Sequence, residues 1–85
     1  MPTLYKSNGE IIPIKRKHPF TLAELQEYVG GYIELITIGD RYLVVNEEGR
    51  LMDLPFNEKA SLLAAQFGYP FIVGDALFTE KRYVK

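Results

Sequence analysis

The side chains that could carry chemistry in this chain are few, and their spacing matches no catalytic arrangement. The only histidine, His18, ends the basic run Lys15–His18 before Pro19. Catalysis needs a nucleophile with a base, a metal cluster or a matched pair of acids. Glu47 and Glu48 are adjacent, and the side chains of adjacent residues in a strand or turn diverge. We therefore expect a protein that is not an enzyme and that uses no cofactor.

Metal and phosphate binding have little support in the residue spacing. Asp40, Asp53 and Asp75 each stand near the end of a predicted strand, and three carboxylates could surround Mg²⁺. Their spacing matches no metal-binding loop, however. Gly30-Gly31 follows a helix pattern instead of opening one, and it lacks the lysine and hydroxyl residue of a phosphate-binding loop. A metal-dependent enzyme is therefore the third of our three hypotheses.

A basic run and several tyrosines point to binding. Lys15, Arg16 and Lys17 could contact an anionic partner. Tyrosine is a preferred anchor of binding surfaces, because a large ring carries a hydrogen-bonding hydroxyl. Tyr32 and Tyr42 lie on consecutive predicted strands, where we expect them to be near cross-strand neighbours. We predict that these five residues form the binding surface. The alternatives are ordinary sheet packing of the tyrosines and a solvated basic loop.

Length and composition limit the architecture and the partners. The 85 residues suffice for one small domain over residues 1–85, and 47% of them are apolar, as in globular proteins. The net charge of -1 argues against a dedicated nucleic-acid-binding protein. There is no apolar run of the ~18 residues that span a membrane, and no apolar signal segment. We expect a cytoplasmic protein without membrane contact. Because the chain has no cysteine and a small core, we also expect a two-fold homodimer.

Two helices are specified by their end residues. Thr21 followed by Glu24 forms a capping box at the start of the first helix. That helix should end at Gly30-Gly31, with one of the two glycines in the left-handed conformation. The second helix is predicted from about Glu58 to Phe67, with Asn57 as its N-cap.

Strand patterns complete an α+β fold. Runs of β-branched and aromatic residues between turn residues predict strands at residues 3–6, 11–15, 32–38, 41–45 and 50–54. A last strand is predicted at residues 71–73, is interrupted at Gly74-Asp75 and continues at residues 76–79. The element order is then ββαβββαβ. Pro13 cannot donate to a ladder, so the second strand should lie at an edge of the sheet. We predict a small single domain with an antiparallel sheet and both helices packed on one face of it.

Three stretches of the chain resemble one known family. They read TLAELQEYVGGYIEL from Thr21 to Leu35, NEEGRLMDLPFN from Asn46 to Asn57, and FIVGDAL from Phe71 to Leu77. In these stretches the chain is similar to the domain of unknown function 3846 family, whose members are small proteins of bacteriophages, plasmids and integrated elements. The resemblance implies a mobile-element setting in the cytoplasm of a bacterial host cell. It implies no catalytic residue.

Three hypotheses for the function follow. The first is a non-enzymatic phage or mobile-element accessory protein that binds a host protein or a small anionic ligand. One version of it, based on the genomic setting alone, is interference with host defence. The second is a nucleic-acid-associated module that uses the basic run and the strand aromatics, and a steep loss of binding with salt would favour it. The third is the metal-dependent enzyme, which would need metal-dependent turnover that Asp→Asn changes abolish.

Overall fold

The computed structural model describes residues 1–84, which form an antiparallel sheet and two α-helices. The strands lie in the order β2-β1-β5-β4-β3, so the last strand in the chain is central. The elements are β1 (Thr3–Tyr5), β2 (Ile11–Pro13), α1 (Leu22–Val29), β3 (Ile33–Ile38), β4 (Arg41–Asn46), α2 (Glu58–Ala65), β5 (Ala76–Glu80) and a 3-10 helix (Lys81–Tyr83). The predicted α+β class is confirmed, and β2 is an edge strand as predicted. No helix within residues 1–84 is long and apolar enough to cross a membrane.

Both predicted ends of α1 are confirmed. Thr21 Oγ1 accepts a hydrogen bond from Glu24 N at 3.1 Å, and Glu24 Oε1 accepts one from Thr21 N at 2.9 Å. At the other end Gly30 adopts a left-handed conformation, with φ of 79°. Gly31 serves a different purpose, because a Cβ atom there would lie 2.9 Å from Asn46 Nδ2. The first glycine therefore turns the chain, and the second leaves room for a buried side chain.

The two helices lie on opposite faces of the sheet, so the prediction that both pack on one face is wrong. Leu25 of α1 belongs to a core cluster with Val44, whereas Ala60 of α2 belongs to a second cluster with Leu43. Val44 and Leu43 are adjacent in β4, and adjacent strand residues point to opposite faces. The physical reason lies in the run Leu43–Val45, which has no polar alternation and is buried throughout. A continuous apolar run is typical of a strand that is covered on both faces.

The segment between β4 and α2 forms turns where we predicted a strand at residues 50–54. Leu54 N donates to Gly49 O at 3.0 Å, which closes one of these turns. Asp53 has φ of 55°, a left-handed conformation that does not fit a strand. Phe56 then pairs with Val73 in an isolated bridge, so the predicted strand at residues 71–73 is reduced to this single pair.

The second helix starts at its predicted N-cap. Asn57 Oδ1 accepts a hydrogen bond from Ala60 N at 3.1 Å, and α2 follows directly. The helix ends at Ala65, short of the predicted Phe67, because Phe67 N and Gly68 N bond to the carbonyls three residues back, Ala64 O and Ala65 O, and so form turns. The N-cap signal therefore predicted the start of the helix correctly, while the predicted end lies two residues beyond the observed one.

Candidate functional site

Tyr32 and Tyr42 lie at opposite ends of the β3–β4 hairpin, so the prediction that they are near cross-strand neighbours is wrong. Tyr42 pairs with Thr37 beside the turn, whereas the carbonyl of Tyr32 accepts a hydrogen bond from Glu47 N at the open end. Paired residues in a hairpin are equally far from its turn, and Tyr32 is much farther from it than Tyr42 is. The Tyr32 side chain is 66% exposed. Tyr42 is half-buried, and Lys81 Nζ lies 5.2 Å from its ring centre.

Arg16 takes part in holding the fold together and is not free to bind a ligand. Its guanidinium donates to both carboxylate oxygens of Glu24, at 2.6 and 2.8 Å, and to Pro19 O at 2.9 Å. The same group lies over the ring of the buried Phe20, 4.4 Å from its centre. The hydrogen bond from Arg16, followed by the backbone hydrogen bond from Thr21, lowers the pKa of Glu24. The arginine thus joins the chain after β2 to the start of α1.

The other residues of the basic run remain on the surface. Lys15, Lys17 and His18 are exposed, so the two lysines could still meet an anionic partner. They follow β2, which is one edge of the sheet, whereas Tyr32 precedes β3, which is the other edge. The structure therefore does not bring Tyr32 together with the basic run.

The three aspartates considered as magnesium ligands belong to separate parts of the structure. Asp40 lies in the β3–β4 turn and Asp53 in the turns before α2. Asp75 precedes β5, and its Oδ1 accepts a hydrogen bond from Ser7 N at 2.9 Å. Within residues 1–84 there is no group of three or more histidine, cysteine, aspartate or glutamate side chains that could hold a metal ion.

A cleft of about 410 Å³ lies on the α2 side of the sheet, between the β3–β4 hairpin and the segment that leads into β5. Its floor consists of three buried apolar residues, Ile36, Val45 and Ile72. Its walls carry large exposed side chains, those of Leu51, Tyr69 and Phe71. We call this feature the Phe71 cleft.

One wall of the Phe71 cleft is the turn that follows β4. The buried side chain of Asn46 anchors it, since Nδ2 donates to Val29 O at 3.1 Å and Oδ1 accepts from Glu48 N at 2.8 Å. Gly49 is buried where the turn meets the opposite wall, and a Cβ atom there would lie 2.8 Å from Val73 Cγ2. The turn is therefore held at a fixed distance from the other wall.

The opposite wall is fixed by α2. Ser61 Oγ accepts a hydrogen bond from Ile72 N at 2.9 Å and donates to Ile72 O at 3.2 Å. Asn57 N also donates to Ile72 O, at 2.8 Å. These bonds hold Ile72 inward, and in extended chain the neighbour of an inward residue points outward. Phe71 is accordingly 51% exposed, and Tyr69 on the same wall is 46% exposed.

Phe71 packs against a second exposed aromatic side chain and lies beneath a guanidinium group. Its ring centre lies 5.4 Å from that of Phe56, and the guanidinium carbon of Arg50 lies 4.8 Å from it. Leu51, in the same cleft, is 86% exposed. Single exposed apolar residues are ordinary, whereas contiguous ones mark interaction sites. The cleft therefore has the character of a surface that another molecule covers.

The rim of the Phe71 cleft is acidic. It carries the carboxylates of Glu34, Glu47 and Glu48 against the single guanidinium of Arg50. None of these glutamates forms an ion pair with another residue in the described part of the chain. With apolar anchors inside and free carboxylates around them, the cleft is suited to a basic group that is attached to an apolar one.

A second depression of about 460 Å³ lies on the α1 side. Its lining residues are Leu4, Lys6, Glu24, Glu27, Tyr28 and Asp75. Two of its carboxylates already serve the fold, because Glu24 binds Arg16 and Asp75 accepts from Ser7 N. It offers fewer free groups to a partner than the Phe71 cleft does.

Sequence reasoning did not identify Leu51 and Phe71 as site residues, because it assigned both to strands. The available signal was the proline near each of them, Pro55 and Pro70. Proline interrupts a ladder of hydrogen bonds and is rare inside a sheet. Phe71 directly follows Pro70, and Leu51 lies in the turns that precede Pro55, so both are outside the sheet.

Comparison with known proteins assigns the chain to one family. No curated protein and no solved structure is significantly similar to it. The family model described as Domain of unknown function (DUF3846) matches residues 3–83 of the 85-residue chain, a span that includes both walls of the Phe71 cleft. The chain therefore belongs to the domain of unknown function family DUF3846.

Proposed function

We propose that this protein is a non-enzymatic accessory protein of a phage or mobile element, and that it binds a host protein through the Phe71 cleft. The observation that carries the proposal is the contiguous exposure of Leu51, Tyr69 and Phe71 around one cleft. Interfaces are enriched in aromatic residues at their centre and are surrounded by polar groups. The Phe71 cleft has both parts.

The charge of the rim supports a basic partner segment. Glu34, Glu47 and Glu48 would attract lysine or arginine side chains, and such pairs mainly raise the association rate and the specificity. The same carboxylates would repel a small anionic ligand, so an anion would fit Lys15 and Lys17 better than this cleft. We therefore favour a host protein over an anion. Interference with host defence is one version of this proposal, and the bacterial cytoplasm is its setting.

The test compares two exposed leucines on opposite sides of the molecule. Leu51→Glu adds a charge to the Phe71 cleft, and Leu22→Glu adds the same charge to α1. Both leucines are exposed, at 86% and 59%, so neither change should unfold the protein. Tagged parent and variants are used to recover partners from host lysate, and the recovered protein is purified for titration calorimetry.

We expect Leu51→Glu to weaken binding of the purified partner by about tenfold or more, and Leu22→Glu to leave it unchanged. Glu47→Gln with Glu48→Gln should lower the association rate and its dependence on salt. Equal binding by parent and a folded Leu51→Glu variant would overturn the proposal. So would failure of the parent to bind any protein under conditions in which it is folded.

A further inference from the structure

β3 is an edge strand whose outer side has no neighbouring strand within residues 1–84. In an antiparallel ladder, successive residues direct their backbone N–H and C=O groups alternately toward the paired strand and away from it. The hydrogen bond from Glu47 N to Tyr32 O shows that the backbone groups of Tyr32 point toward β4. By alternation, the residues of β3 whose backbone N–H and C=O groups point away from β4 are Ile33, Leu35 and Thr37.

This edge lacks the features that usually protect an exposed strand. β3 has six residues, of which Glu34 is the only charged one, and it contains no lysine and no proline. The opposite edge, β2, has three residues and includes Pro13. Leu35 is 40% exposed on β3. A long, flat edge with unpaired N–H and C=O groups is a template for pairing with another strand.

We propose that β3 pairs in antiparallel fashion with β3 of a second copy of this chain, around a two-fold axis at Leu35. In this register Leu35 faces the partner's Leu35, and Ile33 faces the partner's Thr37. Every outward N–H and C=O group of β3 then has a partner, which gives about six intermolecular hydrogen bonds. The two five-stranded sheets join into one continuous sheet.

A second copy fits this edge because the edge is complementary to itself. On one face the two exposed Leu35 side chains pack against each other across the axis. On the other face Glu34 lies opposite the partner's Ile36, so the two glutamates are not directly opposed. The same two-fold rotation therefore pairs the backbone hydrogen-bonding groups, packs the apolar side chains together and keeps the glutamates apart.

Sedimentation at micromolar concentration, with two changes at Thr37, tests the hydrogen bonds of this edge. Thr37→Pro removes an outward N–H group but none that bonds to β4, and proline is tolerated at an edge strand. Thr37→Val has a similar shape and keeps the N–H group. We expect a dimer for the parent and for Thr37→Val. For Thr37→Pro we expect a dimer dissociation constant that is higher by about tenfold or more.

Disulfide trapping tests the register, because the chain contains no cysteine of its own. Leu35→Cys should form a covalent dimer on mild oxidation, since facing residues across an antiparallel pair are close enough for a disulfide. Ile33→Cys alone should not, whereas Ile33→Cys combined with Thr37→Cys should. A parent that is monomeric, a dimer that Thr37→Pro does not weaken, or a dimer that Leu35→Cys fails to trap would each overturn the proposal.

Discussion

The side-chain amide of Asn57 donates a hydrogen bond to the carbonyl oxygen of Tyr5 at 2.8 Å, and so connects the start of α2 to the end of β1. The same amide nitrogen donates to Gly74 O at 2.8 Å, and the amide oxygen accepts from Ala60 N. Asn57 is 1% exposed. One buried side chain thus joins a strand, a helix and the approach to the central strand, and it does so from the last position of the NEEGRLMDLPFN stretch.

Asn57→Ala should lower the free energy of unfolding by about 3 kcal/mol, because it removes a helix cap and leaves one buried and one partly buried carbonyl without their donor. Urea denaturation measures this change. Thr21→Ala removes an exposed cap only, and we expect it to cost about 1 kcal/mol. If Asn57→Ala costs no more than Thr21→Ala, the amide bonds to Tyr5 O and Gly74 O do not stabilise the fold. An unchanged midpoint for Thr21→Ala would mean that the capping box does not contribute.

The paired glycines after α1 should respond differently to substitution. Gly30→Val should cost more than about 1 kcal/mol, because a β-branched residue fits the left-handed region poorly. Gly31→Ala should be costly for another reason, since its Cβ would displace Asn46 Nδ2 and break the bond to Val29 O. The cost of Gly31→Ala should therefore fall in an Asn46→Ala background, while that of Gly30→Val stays the same. Equal costs of Gly31→Ala in both backgrounds would contradict this explanation.

Glu24→Gln should lower stability at neutral pH and much less in acid. Arg16 is the main cause of the lowered pKa of Glu24, and the backbone N–H of Thr21 adds to it. A carboxyl group whose pKa is lower in the folded state contributes stability above its unfolded pKa, and this contribution is lost as the pH falls through the folded pKa. Unfolded glutamate titrates near pH ~4.3, so the difference between parent and variant should shrink below that pH.

Denaturation at a series of pH values measures that difference. Glu27→Gln is the matched control, because Glu27 is exposed on the same helix and has no hydrogen bond to Arg16. It should show no comparable dependence on pH. A Glu24→Gln effect of the same size in acid as at neutral pH would show that the pair with Arg16 is not its cause.

Local signals in the sequence predicted where most helices and strands lie. The features that the sequence did not predict, such as the face on which α2 packs, depend on contacts between residues far apart in the chain. Each of these signals is local: the cap at Thr21, the cap at Asn57 and the left-handed glycine each depend on residues within one helical turn. The face on which α2 packs depends instead on contacts such as that of Ser61 with Ile72, which no local pattern records. The run Leu43–Val45 did carry a signal for two covered faces, because a one-sided sheet would leave Val44 in water.

The candidate site was beyond prediction because its residues come from three separated stretches of chain. Glu34, Leu51 and Phe71 line one cleft only after β3, the turn following β4 and the segment before β5 have come together. Residue type alone also does not separate buried from exposed aromatics, since Phe20 is 4% exposed and Phe71 is 51% exposed. Residue type misled in the same way at Arg16, because this member of a basic run stabilises the fold and does not bind a partner.

Substitutions of the two tyrosines predicted as binding residues should have different effects, one on affinity and the other on stability. Tyr32 is largely exposed, and its carbonyl is bonded to Glu47, a residue of the Phe71 cleft, so we expect Tyr32→Ala to weaken binding of the host partner without loss of stability. Tyr42 is half-buried on the α1 side beneath Lys81, so Tyr42→Ala should lower stability and leave the affinity of the folded protein unchanged.

Calorimetric titration of the purified partner and urea denaturation, carried out on the same preparations, distinguish the two effects. Lys15→Ala with Lys17→Ala is the matched control for charge, because these exposed lysines follow the opposite edge strand from Tyr32. We expect that variant to bind a partner at the Phe71 cleft as the parent does. If Tyr42→Ala or the lysine variant weakens binding while Tyr32→Ala does not, the working surface lies on the α1 side, and the Phe71 cleft is not the site that the partner occupies.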